Sequence, residues 1–148
     1  MAQRFDIKYN NFLKSLNGIQ DTIDNNDKLS TNDKKAILYD FGGLEEQTWK
    51  LFKYYLEYIA GYENLGNASK NVYRESLKVG LISVEQCELL LETIDLRNVL
   101  FHEYNYEEIE ESCNKILKYL DLFKEVKTVF DNIKQEYNEE FEKDIINI

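Results

Sequence analysis

Apolar residues recur along this chain at spacings of three and four, and that period is helical rather than extended. Phe5, Tyr9, Phe12, Leu16 and Ile19 form such a stripe and predict a first helix from about Arg4 to Ile23. The polar run "NNDKLSTNDKK" interrupts it, and Ser30 with Asp33, or Thr31, supplies a cap for the next helix. A second helix is expected from about Asn32 to Tyr62. Ile37 or Leu38, Phe41, Thr48, Phe52, Tyr55 and Ile59 share one face, with Leu44 and Trp49 beside it. Gly42 and Gly43 fall inside that helix, where each costs about 1 kcal/mol relative to alanine, so the pair marks either a bend or the close approach of another helix.

The connection "GYENLGNAS" leads to a short third helix, Ser69 to Val79, which Gly80 ends. Ser83 and Gln86 form a capping-box pattern for a fourth helix. That helix is apolar at Cys87, Leu90, Leu91, Ile94 and Phe101, and again at Leu89, Leu96 and Leu100. Asn98 falls in the first of these stripes, where an unpartnered polar side chain costs about 1–3 kcal/mol. The fifth helix opens at Asn105, with Glu108 three residues on, and its stripe runs from Ile109 through Phe123 and Phe130 to Ile145. As one helix, these roughly 40 residues would span about 60 Å. Residues 126–148 are therefore expected either to protrude toward a neighbour or to break near Asp131 and fold back as a sixth helix. The expected fold class is all-α, an antiparallel up-and-down bundle of four to six helices in a single domain spanning 1–148.

Composition excludes several functions. No run approaches the roughly 18–20 apolar residues of a membrane span, and the N-terminal residues lack the apolar stretch of a signal peptide, so a cytoplasmic protein without a membrane partner is expected. Cys87 and Cys113 stand 26 apart without metal-ligand spacing and read as reduced packing thiols; no metal or other cofactor is expected. The net charge of −10 argues against a general nucleic-acid binder, because non-specific affinity for phosphates comes from Lys and Arg. The charge is unevenly spread. Residues 1–80 carry 11 Lys and Arg against 11 Asp and Glu, whereas residues 81–148 carry 7 against 17. A polyanion would need a local pocket, and the acidic second half would suit a basic protein partner or serve as solvated helix faces.

The segment "IDLRNVLFHEYNYEE" holds the only histidine, His102, with Arg97 five residues before it and Tyr104 two after. In a continuous helix Asn98 and His102 lie about 40° apart, so the amide can reach the imidazole, whereas Arg97 is turned away by about 140°. Arg97 and His102 therefore meet at one ligand only if the helix ends near His102 or if a second chain supplies one of them. Taken singly, a helix-end histidine reads as a capping or packing group, and Arg97 as a salt-bridge donor to Asp95, Glu92 or an acid of the next helix.

Together these residues resemble the nucleotidyltransferase substrate-binding family, a branch of the HEPN (higher eukaryotes and prokaryotes nucleotide-binding) superfamily. The signature is an arginine, often followed by asparagine, then a histidine, with a tyrosine two positions later in the toxin branch. Here it is Arg97, Asn98, His102 and Tyr104. "FGGLEEQTWKLFKYYLEYIAG" is similar to the family's second-helix pattern, and "NASKNVYRESLKVGLI" keeps Ser69, Arg74, Glu75, Gly80 and Leu81 in step with another family segment. Val99, Leu100 and Phe101 stand where the family often has small polar residues, which makes the expected pocket wall more apolar.

The resemblance implies a two-fold homodimer, encoded beside a minimal nucleotidyltransferase and often acting with it as a toxin–antitoxin pair. It also implies a metal-independent endoribonuclease with a composite site at the dimer cleft, silenced when the partner attaches AMP to the motif tyrosine. His102 would be the general acid/base, Arg97 the phosphate ligand, Asn98 the group orienting His102, and Tyr104 a substrate contact or modification target. Lys70, Arg74 and Lys78 could line an approach for RNA. The alternative is a non-catalytic subunit that presents a nucleotide or other substrate to a nucleotidyltransferase, and a third reading is a structural dimer whose acidic helices dock the partner. The chain lacks the Gly-Ser and paired aspartates of a nucleotidyltransferase, so it is not expected to transfer nucleotides itself.

Overall fold

The computed structural model describes residues 2–63, 65–100 and 105–146, with side chains described over 4–63, 65–100 and 105–136. Five helices account for its regular structure: α1 (Ala2–Asp24), α2 (Thr31–Tyr58), α3 (Ser69–Lys78), α4 (Val84–Val99) and α5 (Tyr106–Ile146). Local chemistry sets their ends. Ser30 and Asp33 close a reciprocal capping box at the start of α2, and Ser83 and Gln86 do the same for α4. Asn105 accepts from the Glu108 backbone N–H at 2.8 Å and so opens α5. α2 stops four residues earlier than the sequence pattern suggests. Ile59 caps it and Gly61 takes a left-handed φ of 78°, a conformation that a residue with a Cβ rarely adopts.

Side-chain pairs fix how the helices run. Gly18 faces Asp40 and Gly43 faces Ser15, so α1 and α2 are antiparallel. Tyr9 donates to Asp131, and Asp6 pairs with Lys134 at 3.5 Å, so α1 and α5 are also antiparallel. Lys34 meets Glu110, Phe41 meets Phe123 and Phe52 meets Phe130, so α2 and α5 are parallel. α3 bridges α2 and α4. The glycine pair in α2 marks a close approach: a Cβ on Gly43 would lie 3.3 Å from Ser15 Oγ, while one on Gly42 would meet nothing within 4 Å.

The core is aromatic at its centre. Phe130 packs edge-on against Phe12, with centroids 5.0 Å apart, and at a tilt against Phe52 at 4.8 Å, and all three are fully buried. Burying each such ring contributes roughly 2–3 kcal/mol before ring geometry adds its share. α5 continues through Asp131 and Asn132 as a single helix of 41 residues, about 60 Å long, so the chain does not turn back there. Its apolar stripe stays buried as far as Ile133. Cys87 and Cys113 are buried free thiols. No helix among the described residues is long and apolar enough to cross a membrane, and no group of their His, Cys, Asp and Glu side chains could hold a metal ion.

Candidate functional site

Arg97 lies in the last turn of α4, where its positive charge complements the carbonyl end of the helix. Two of its partners come from α2, 51 or more residues away in the chain. Nη1 lies 3.4 Å from Glu45 Oε2, and Nη2 donates to Glu46 Oε2 at 3.0 Å. Glu45 is wholly buried, while the arginine keeps 21% of its side chain exposed. The Tyr73 hydroxyl, on α3 and also wholly buried, donates to Glu45 Oε1 at 3.3 Å. Three helices therefore meet on one carboxylate.

Burial dominates the electrostatics of Glu45. It pushes the carboxyl up to about 7, against the opposing pull of Arg97 and of the Tyr73 hydrogen bond. Burial and the neighbouring Glu45 also hold the Tyr73 hydroxyl well above its ordinary range. Glu46 behaves oppositely: the Lys50 ammonium, 2.8 Å away, holds it below the usual carboxylate range, and Arg97 adds to the effect. A single carboxylate thus serves two cations, Oε1 facing Lys50 and Oε2 facing Arg97.

Beside this cluster a hollow of about 500 Å³ opens between α1, α2 and the end of α4, with Ser15, Asp40, Gly43, Glu46, Arg97 and Leu100 on its wall. Gly43 matters there because the absence of a side chain lets Ser15 approach α2. Burial raises the Asp40 carboxyl above its ordinary value. Tyr39, also on the wall, is 84% exposed. The hollow can seat a small polar ligand between a guanidinium and two acids.

The structure brings only part of the sequence-derived site together. Asn98 is exposed, contrary to its assignment to a buried stripe: it stands in the last turn of α4, beyond Ile94, the last buried residue of that stripe among the described ones. His102 and Tyr104 lie outside the described residues. α4 ends at Val99, and the Leu100 N–H donates back to the Arg97 carbonyl at 2.9 Å. Lys70 is paired with Asp95 at 3.1 Å and Lys78 with Glu75 at 3.0 Å, while Arg74 is exposed on the same helix. Neither Asp95 nor Glu92 takes Arg97 as its partner: Asp95 pairs with Lys70, and Glu92 accepts from the Tyr119 hydroxyl at 2.9 Å.

The residues that sequence reading missed are Glu45 and Tyr73. Glu45 did carry a signal, since Phe41, Glu45, Thr48 and Phe52 share the period of the apolar stripe. An acid inside such a stripe is either buried with a partner or evidence against the helix.

A family model described as nucleotidyltransferase substrate binding protein like matches residues 7–132. The fold is similar to the crystal structure of a Thermus thermophilus protein at a TM-score of 0.70 and 25% identity, covering 80% of this chain and 98% of that one. It is also similar, at a TM-score of 0.69 and 14% identity, to a tri-AMPylated Shewanella oneidensis HEPN toxin solved in complex with its MNT antitoxin. That likeness covers 86% of this chain and 96% of the other and is one of fold. Among curated proteins none matches.

Proposed function

The chain belongs to the nucleotidyltransferase substrate-binding-like family, and on that footing we propose that it is the helical, HEPN-type subunit of a two-component system whose other member is a minimal nucleotidyltransferase. In this reading residues 1–148 act as one domain in the cytoplasm, and two copies form a two-fold dimer. The dimer cuts RNA without a metal until the nucleotidyltransferase silences it; the likeness of fold to a HEPN toxin that is tri-AMPylated and in complex with an MNT antitoxin supports the pairing with such a partner.

The observation that carries the reading is the end of α4 at Val99, one turn after Asp95 has paired with α3 and directly after Arg97 has been fixed to α2. In an uninterrupted helix Arg97 and His102 would diverge by about 140°. Because α4 ends at Val99, a continuous α4 does not impose that divergence, and in this proposal both side chains address one phosphate. Glu45 and Glu46 hold the guanidinium in place, which lowers the entropy lost when it meets a ligand.

The chemistry then needs a base for the 2′-hydroxyl and an acid for the leaving oxygen. One chain has one histidine, and a two-fold dimer supplies two, the side-chain type best suited to take and give protons near neutral pH. Arg97 stabilises the charge that develops on phosphorus, and exposed Asn98 is free to turn toward His102. AMP on Tyr104 would add bulk and negative charge beside the cleft and repel RNA.

One observation favours a second reading. Arg97 already faces two carboxylates, so less of its charge is available to a phosphate than a free guanidinium would offer. A non-catalytic subunit presenting a nucleotide to its partner would tolerate that. Inducing the chain alone in a bacterial host, beside His102→Ala and Arg97→Ala variants shown to be folded and equally abundant, separates the two. Growth arrest with loss of bulk RNA, absent in both variants, is the expected result. Normal growth and intact RNA at high expression would overturn the ribonuclease and leave the binding subunit.

A further inference from the structure

Two adjoining hollows lie on the face that α1 and α2 share, beside the Arg97 cluster. The first, of about 360 Å³, is walled by Arg4, Lys8, Lys50 and Lys53 together with the rings of Trp49 and Tyr58. The second, of about 450 Å³, shares Arg4, Lys8 and Lys50 and extends past Asn11 and Gln47. Four cations thus converge on one strip of a chain whose net charge is −10. The carboxylates within reach are Glu57, 3.6 Å from Lys53, and Glu46, 2.8 Å from Lys50. Arg4 and Lys8 have no carboxylate partner among the described residues, so the strip keeps a positive balance.

Its aromatic groups are equally distinctive. The Lys50 ammonium stands 5.9 Å from the centre of the Trp49 ring. Tyr58 is 48% exposed and lies 4.6 Å from Tyr54, ring to ring. Trp49 Nε1 is buried and finds no acceptor among the described residues, an N–H left without the partner that buried indoles usually have. Backbone phosphates attract clustered Lys and Arg, and unpaired bases stack on exposed rings. An acidic peptide would use the charges and leave the flat faces idle.

We propose that this basic, aromatic groove is a track for single-stranded RNA, with phosphates on Arg4, Lys8, Lys50 and Lys53 and bases against Trp49 and Tyr58. The choice of RNA rests on the function proposed above, whereas the contacts do not. Glu46 is the link between track and site, because one oxygen faces Lys50 and the other Arg97. The approach is placed over α1 and α2, where Arg4 and Lys8 add charge without a carboxylate partner among the described residues to the paired Lys50 and Lys53, rather than over α3, where Lys70 and Lys78 are both paired and Arg74 stands alone.

The test is fluorescence anisotropy of a labelled single-stranded RNA of about a dozen nucleotides, titrated with the full chain carrying His102→Ala so that the RNA stays intact. Binding is expected to weaken with salt, with a log–log slope of about −2 to −3 for four phosphate contacts. The double variant Lys8→Glu, Lys50→Glu, made at surface positions, should bind roughly tenfold or more weakly, Trp49→Ala about tenfold more weakly, and Lys78→Glu like its parent. Absence of binding, normal binding by the double variant, loss confined to Lys78→Glu, or displacement of RNA as readily by polyglutamate as by unlabelled RNA would each overturn the track. The two proposals fail separately. Groove-dependent binding by a chain that never damages RNA in cells removes only the ribonuclease, and RNA damage by a chain whose groove variants bind normally removes only the track.

Discussion

Replacing Glu45 with glutamine should make the protein more stable above neutrality and leave it unchanged in acid. In the unfolded chain this carboxyl ionises near 4.5; in the folded chain burial pushes it up to about 7. Between those values the folded state holds the extra proton, so stability is full below about 4.5, falls as pH rises, and levels off above about 7. At about 1.4 kcal/mol for each tenfold change in the ionisation constant, the loss amounts to about 3 kcal/mol. Glutamine has the shape of the neutral acid, keeps an oxygen for the Tyr73 hydroxyl, and leaves Arg97 its bond to Glu46. Buried ion pairs often break even or worse against neutral replacements, by about 1–4 kcal/mol, which agrees in size. Urea unfolding of Glu45→Gln and the parent, followed by far-UV circular dichroism from about pH 4 to about pH 8, reads the difference directly, since every other titrating group cancels. The variant should match the parent at the acid end and gain about 1–3 kcal/mol at the other. Parallel curves, or an equal loss at both ends, would refute the account of Glu45 as a charge held against its burial.

Tyr73→Phe removes the hydroxyl that favours the ionised form of Glu45, so the carboxyl should rise further and about 1 kcal/mol of stability should go above pH 7 but not near pH 5, visible in the same urea series. Gly42→Ala, with open space around its new methyl group, should stabilise α2 by about 1 kcal/mol, while Gly18→Ala should gain less because its Cβ would fall 2.8 Å from Asp40 Oδ2. Equal gains in thermal unfolding would contradict that close approach. Ser83→Ala opens the capping box of α4 and should cost about 1 kcal/mol by the same measurement.

The helices and the starts of α2, α4 and α5 were legible because their signals are local. Ser30 with Asp33, Ser83 with Gln86, and Asn105 with Glu108 lie three residues apart, so each signal and its outcome share one turn. The family was legible from Arg97, Asn98, His102 and Tyr104 and from the Trp49 and Arg74 segments. The site's internal geometry was not. Arg97 meets Glu45 and Glu46 across a gap of some 50 residues, and its nearest acids in sequence, Glu92 and Asp95, are engaged elsewhere. The stripe argument failed at Asn98 because a stripe shows which side of a helix is apolar, not how far along it burial extends. The same argument, applied to α2, would have found Glu45 among Phe41, Thr48 and Phe52.

The parallel pairing of α2 with α5 has a consequence in time. Phe12, Phe41 and Phe52 find their partners in Phe123 and Phe130, and the Tyr9 to Asp131 hydrogen bond spans 122 positions. During synthesis α1 and α2 emerge and pair well before α5 exists, leaving an aromatic face that nothing yet covers. Until the last helix leaves the ribosome the nascent hairpin is sticky, and the speed of translation between Tyr58 and Phe130 sets how long that exposure lasts.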